Sequence, residues 1–394
     1  MPADVVIVGA GIVGAACARA LAQSGLSVTI VDRGAASSGT SAHGEGNLLV
    51  SDKGPGPELD LARYASTLWP TCAEELADEL GPEFPSIEYE RKGGIVAATL
   101  PEGAEPLLSF AESQRDAGVD ARPIGIDDAL ELEPDLNPAL TAVVHYPEDA
   151  QVQPVIATDA LLASARRHGA TVRLGEEVVG ALRGADGRLT GVRTTRGDVA
   201  AGAVLVAAGP WTGDVTRALG TPLPVLPRRG MVLVTTRMPH RIRHKVYDGD
   251  YFAATQSADA ALQTSAVVES TAGGTVLIGS SREQVGFDAR LRVDVLREVA
   301  GKALRLFPFL TGMSVMRSYA GFRPYMPDHL PVIGPDHRDP GLWHASGHEG
   351  AGIGLSLATA RFIADRMLGT PLAMDDAPFL TTRDSLRPYL EVAR

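Results

Sequence analysis

Apolar positions in this chain change period several times, and each change predicts an element. Val5-Val6-Ile7-Val8 is an unbroken apolar run after Asp4, as a strand buried on both faces requires. Gly9-Ala10-Gly11-Ile12-Val13-Gly14 follows at once, and Ala15 to Ala22 continue as a helix. Val28-Thr29-Ile30-Val31 then forms a second strand that ends at Asp32. Pro154 to His168 carries Val155, Ile156, Leu161 and Leu162 on helical spacing and runs into a strand at Ala170 to Leu174. Glu177-Val178-Val179, Leu189 to Thr195 and Asp198 to Ala201 read as strands, the last three runs joined by turns at Asp186-Gly187 and Arg196-Gly197. Ala203 to Ala208 is another buried strand, stopped by Gly209-Pro210-Trp211. Far downstream, Gly341 to Ser346 leads through the glycine-rich stretch 347–354 into a helix over Leu355 to Leu368.

Between these stretches the pattern is strand-like. From Ser86 to Tyr146 and from Leu223 to Tyr319, short alternating runs predict an antiparallel sheet, including Met231 to Val234, Leu262 to Glu269 and Thr275 to Ile278. The last two are joined by a Gly273-Gly274 hairpin turn. The predicted fold class is α/β. A nucleotide domain is assembled from residues 1–85, 147–222 and 320–394, and a sheet domain that holds the substrate is inserted as 86–146 and 223–319.

The glycine spacing carries the chemistry. Strand, GxGxxG loop, helix, second strand and terminal acid occur in order within one βαβ unit, which predicts dinucleotide binding. Gly9, Gly11 and Gly14 let the backbone approach a pyrophosphate at a helix N-terminus, and Asp32 accepts from a ribose hydroxyl. A net charge of −12 argues against a general nucleic-acid or anionic-membrane surface. Two cysteines, Cys17 and Cys72, cannot build a zinc or iron–sulfur site alone, and they suggest a reducing compartment. Asp4 stands where a signal peptide needs positive charge, and no run approaches ~18 apolar residues. The expectation is a cytoplasmic protein without a membrane span or metal, its oligomeric state open.

Taken together, the motifs resemble the flavin-dependent D-amino acid oxidase, glycine oxidase and sarcosine oxidase superfamily. The resemblance rests on GAGIVG with Asp32, Ser37-Ser38-Gly39-Thr40-Ser41, Val206 to Trp211, Ala320-Gly321-Phe322-Arg323-Pro324 and Gly347 to Gly354, and it spans nearly the whole chain. It implies a Rossmann-like FAD-binding domain of the GR2 type and noncovalent FAD. The cysteine that tethers flavin in monomeric sarcosine oxidase is replaced near Gly321, and neither cysteine here is close to it in sequence. The family pattern implies that Arg33 assists Asp32, that Thr40 and Ser41 donate to phosphate, and that Val178 or Val179 meets adenine. Ile12, Val13, Asn47, Gly209 and Trp211 complete the expected cofactor contacts. The amides of Gly350, Gly352, Ile353, Gly354 and Leu355 would face the flavin C2 carbonyl at a helix N-terminus, favouring the reduced anion.

At the substrate end the resemblance puts Arg323 on the substrate carboxylate, where a planar fork fixes position and orientation. The structural alternative is an arginine that caps carbonyls or pairs with Asp328. His43 resembles the ring-side histidine of sarcosine oxidases. Glu45, Asn47, His348 and Glu349 are further cavity candidates, and Tyr251, Gln263 and Glu269 could project from the inserted sheet over the ring. The lysine that sarcosine oxidases use toward oxygen would fall within Thr275 to Gly279, where there is none.

The leading expectation is oxidation of an amino-acid C–N bond to an imine by hydride transfer to flavin N5, the flavin doing the redox chemistry. The acceptor would be oxygen, or a partner subunit as in the opine oxidase and hydrogen cyanide synthase branch. Oxidation of a 2-hydroxy acid, with His43 or His348 as base, is a third reading. A noncatalytic flavoprotein subunit is a fourth.

Overall fold

Five parallel strands form the centre of the first sheet, in the order Thr171–Leu174, Val28–Asp32, Ala3–Val8, Gly197–Val206, Leu342–Ser346. Val332–Pro335 closes one edge antiparallel. The computed structural model describes residues 2–249 and 261–392. Alternation along the first strand divides two cores. Val5 and Ile7 face a layer of helices, whereas Val6 and Val8 face a three-stranded meander. The helix layer consists of Ile12–Gln23, Pro154–Arg167 and Gly352–Leu368, with Pro57–Leu80 laid across it. The meander is Val178–Arg183, Leu189–Thr194 and the start of Gly197–Val206. Sequence pattern divides that last strand at Gly202, yet ten residues form one strand that serves both the meander and the parallel sheet.

The second sheet has eight strands in the order Val315–Tyr325, Leu226–Thr235, Val276–Arg282, Gln263–Ser270, Lys245–Asp248, Gly94–Ala98, Ala142–Tyr146, Arg122–Ile124. It is mixed rather than wholly antiparallel. Lys245–Asp248 and Gly94–Ala98 run parallel, because they come from the two separate insertions and no hairpin joins them. Residue 320 lies inside Val315–Tyr325, so this strand carries the chain from the second sheet back toward the first. The insertion also holds helices that its alternating runs hide, Pro101–Asp116 and Val293–Leu306. Pro106 and Gly103 interrupt the helical signature of the first of these. No helix among the described residues is long and apolar enough to cross a membrane.

Both glycine-rich helices begin earlier than their apolar patterns suggest. The first starts at Ile12 and the last at Gly352, so each turns into helix directly from its loop. Close approach explains the first loop. Gly9 has φ +118°, and a Cβ on Gly14 would overlap the Gly9 carbonyl oxygen. A Gly14→Ala substitution should therefore push the first helix off its loop and cost about 2–4 kcal/mol of stability. Denaturant unfolding of the apoprotein measures this, and a loss below about 0.5 kcal/mol would contradict the packing argument.

Candidate active site

A cavity of about 700 Å³ opens at the carboxyl ends of the parallel strands and runs to the second sheet. This is where open α/β sheets take their ligands. One end is lined by Asp32, Arg33, Gly34, Glu177, Val178 and Val179. The middle is Gly9 and Gly11 to Val13 with Ser37 to Ser41 and Ala207 to Trp211, and the far end is built from His43, Glu45, Asn47, Gly230, Val232 and Gly321 to Pro324. His348 to Gly350, Gly352 and Ile353 close that far end from the last helix.

The glycine loop is braced from behind. Asp32 Oδ2 accepts from the Ala10 amide at 2.7 Å and Oδ1 from the Gly34 amide at 2.7 Å, which leaves each oxygen a second lone pair toward the cavity. Gly11 is the N-cap of the first helix and provides no side-chain cap, so first-turn amides beyond Ile12 have no intrahelical partner and can serve an anion. Ser41 Oγ takes the Ile12 amide at 3.0 Å, and its own proton is still available to donate. Thr40 differs from expectation: its hydroxyl donates to the Phe322 carbonyl at 2.6 Å and ties the loop to the second sheet. Arg33 lies 4.4 Å from the Trp211 ring, which stacks on Phe287 at 5.4 Å. Those residues form an aromatic and cationic wall at the end where an adenosine would lie.

Three expected cofactor contacts are placed elsewhere. Gly14 packs the helix against the loop and does not border the cavity. Gly354 faces a small neighbouring cavity beside Trp69, whose ring nitrogen donates to the Gly354 carbonyl at 3.0 Å. Leu355 is buried, and its amide donates within the helix to Ala351 at 2.9 Å. The cause is the early start at Gly352, which leaves only the first turn facing the cavity.

The second sheet supplies the polar end. Arg323 donates from Nη1 to the Ser281 carbonyl at 2.9 Å, so the carbonyl-capping alternative accounts for part of its fork. The Asp328 alternative does not hold, because Asp328 is bound by Arg383 at 2.6 and 2.9 Å. His43 Nδ1 donates to the Gly39 carbonyl at 2.8 Å, which leaves Nε2 as the acceptor of the neutral ring. Its ring meets Tyr319 edge-on at 5.6 Å. His348 lies at the mouth of the last helix. It borders the cavity, but burial holds its imidazole down to about 3, and Nε2 is shared with Thr359 at 2.9 Å. Tyr251 lies outside the described residues.

Two groups here, Arg228 and Lys245, were not singled out by sequence. Arg228 sits directly across the strand pair from Arg323 and is fully buried. Its parity with Gly230 and Val232 was the available signal. Lys245, also fully buried, contacts the Glu269 carboxylate, and burial holds its ammonium well below the usual lysine range. Glu45 is raised by burial, against the pull of Lys245 and Arg323. Lys245 comes from a strand two places away from Thr275 to Gly279, so no scan of that run could reveal it.

The residues fit FAD. A glycine-headed helix start, an acid-braced glycine loop, an aromatic wall and a second helix start line one elongated cavity. Neither Cys17 nor Cys72 borders it. A family model described as FAD dependent oxidoreductase matches residues 4–366. Glycine oxidase of Pseudomonas aeruginosa is 32% identical over 388 residues, covering 96% of this chain and 98% of the relative. Hydrogen cyanide synthase subunit HcnC of the same species is 28% identical over 424 residues, covering 98% and 97%. The crystal structure of glycine oxidase from Geobacillus kaustophilus superposes with a TM-score of 0.87 at 29% identity, covering 97% of this chain and 99% of that one. The chain belongs to the FAD-dependent oxidoreductase family of glycine and D-amino acid oxidases and is an enzyme of that type.

Proposed function

We propose that the protein oxidises the C–N bond of an amino acid or a closely related amine to an imine. The observation that carries the reading is Arg323, whose guanidinium borders the cavity between Gly230 and Gly350. FAD, when bound, supplies the two-electron acceptor. Arg323 holds the substrate carboxylate and so fixes which face of the α-carbon looks along the cavity. Val232 borders the same end and excludes water around the reacting carbon, while the Phe322 ring packs on Phe287 beside Trp211. The fully buried Arg228 behind this end adds positive charge that favours an anionic substrate group.

The acceptor is a separate matter. Similarity to a hydrogen cyanide synthase subunit over nearly its whole length supports delivery of electrons to a partner subunit as the second reading.

Three expectations test these assignments. Anaerobic mixing with glycine, sarcosine, D- and L-amino acids, imino acids and opines should bleach the flavin, and 2-hydroxy acids should not. Rapid recovery of colour in air marks an oxidase, and persistent bleaching marks a dehydrogenase. Bleaching by hydroxy acids alone would overturn the amine reading. Arg323→Ala should lower kcat/KM by roughly 10²–10³, with Arg323→Lys only partly restoring it, since an ammonium lacks the planar fork. A loss below about tenfold would remove Arg323 from the substrate.

The third concerns His348. Below its usual value of 6.5 the unfolded chain takes up a proton that the folded chain refuses until about pH 3. Stability should therefore fall as pH drops through that window, by an amount on the order of several kcal/mol. In the apoprotein, His348→Gln should flatten that acid-side loss. In the holoenzyme it should leave the neutral-range shape of the pH–rate profile unchanged. A profile that loses a limb in this variant would restore His348 as the base.

A further inference from the structure

Two acidic side chains border the Arg323 end of the cavity, Glu45 and Glu349, the second following His348. One Glu349 oxygen lies 2.9 Å from His329 Nδ1, and the other lies 3.6 Å from Arg228 Nη1. Arg228 and Arg323 are register partners on adjacent strands. Gly350 packs against the Arg323 guanidinium, since a Cβ built there would lie 3.5 Å from Nε. Carboxylate and guanidinium groups thus converge on one end of the cavity, where a zwitterion would find both signs of charge.

Both members of the Glu349–His329 pair have positive φ, +45° and +58°. Non-glycine residues rarely adopt that region, and such strain persists where surrounding contacts enforce it. Tyr325 meets the His329 ring edge-on at 5.4 Å, and the neighbouring Asp328 is anchored by Arg383. The Glu349 carboxylate raises the His329 imidazole above its ordinary value, favouring the protonated ring beside it. Behind the pair lies Glu58, whose carboxyl burial pushes up to about 7 within reach of Lys53, Asp52, His329 and Glu349.

We propose that Glu349, positioned by His329, binds the α-ammonium of the substrate and accepts its proton, so that Arg323 and Glu349 together select a substrate carrying a carboxylate and an ammonium. This rests on the amine reading above. The chemistry requires such a step. A positively charged nitrogen cannot assist hydride departure from the adjacent carbon, whereas a neutral amine offers its lone pair. One N–H bond breaks and its electron pair stays on nitrogen, while the proton forms an O–H bond on Glu349. Glu349 then carries the proton as a neutral carboxyl, held in place beside His329 Nδ1. Glu45, the other buried carboxyl bordering the cavity, is placed differently. It accepts from Asn47 Nδ2 at 3.2 Å and lies tight against Gly279, and its burial favours the neutral acid.

The test uses two probes that cannot be oxidised at the α-carbon as an amine, followed by flavin absorbance in the holoenzyme. 2-Aminoisobutyrate carries both charges and no α-hydrogen, and isobutyrate carries the carboxylate alone. Wild type should bind 2-aminoisobutyrate at least ~10-fold more tightly. Glu349→Gln should bring the two affinities within about twofold of each other while isobutyrate binding changes less than about threefold. Glu45→Gln should keep the wild-type preference. His329→Asn, which tolerates the left-handed backbone, should raise the midpoint of flavin bleaching against pH by about one unit. A purely structural histidine would leave that midpoint in place. Retained preference in Glu349→Gln, loss of preference in Glu45→Gln instead, or an unmoved midpoint in His329→Asn would each overturn the proposal. If no amino compound bleaches the wild-type flavin, the amine reading falls and this one with it. Bleaching in wild type with an unchanged preference overturns this inference alone.

Discussion

The contact between Gly14 and the Gly9 carbonyl sets the geometry on which the rest depends. Without side chains at either point, the first helix starts immediately above the end of its strand. Its first turn then begins at the cavity, with the Ile12 amide held by Ser41, and the partial positive charge of the helix end is concentrated there. The same approach leaves room for Ala207 beside Gly9, so the strand Gly197–Val206 can end at the same level. Asp32 fixes the arrangement from the second strand through the Ala10 and Gly34 amides. Three strand ends and one helix start therefore meet around a single anion-binding point.

A second constraint joins the two sheets. Asp149 is fully buried and accepts from Ser51 Oγ at 2.5 Å, from the Val50 amide at 2.9 Å and from the Tyr247 hydroxyl. Its carboxyl is pushed up to about 6 by burial, in spite of these donors. Tyr247 belongs to the strand next to Gly94–Ala98, whereas Val50 and Ser51 precede the long helix Pro57–Leu80. This buried acceptor ties the inserted sheet to the nucleotide-binding part just behind the cavity. Thr40, which bonds the Phe322 carbonyl, makes a second tie at the cavity itself. The polar end of the cavity owes its position to both.

The division of labour along the cavity follows from these ties. Residues of the first sheet approach it mainly through backbone groups, which suit a pyrophosphate and are insensitive to substrate. Residues of the second sheet approach it through charged side chains from neighbouring strands, as Arg228 opposite Arg323 illustrates. Charge on that face is balanced locally, with Lys245 against Glu269 and Glu349 between Arg228 and His329. Such balance keeps buried ions from carrying an unpaired desolvation cost.

The βαβ unit was legible in the sequence because its parts are local: a strand, a glycine spacing, a helix and an acid within 32 residues. Motif order also identified the family and its flavin, and placed Arg323, His43 and the loop before the last helix at one cavity. Hydrophobic pattern alone could not show that His348 turns inward to Thr359 while Glu349 turns to His329. Adjacent residues on a loop have no fixed periodicity from which to read their directions. Nor could it show Lys245 beside Glu269, or the parallel join of Lys245–Asp248 to Gly94–Ala98. These pairings link residues far apart in sequence, and only packing two separate insertions into one sheet brings them together. Sequence determined the cofactor half through short-range backbone geometry. Tertiary structure decided the substrate half, because its charges meet only across strands.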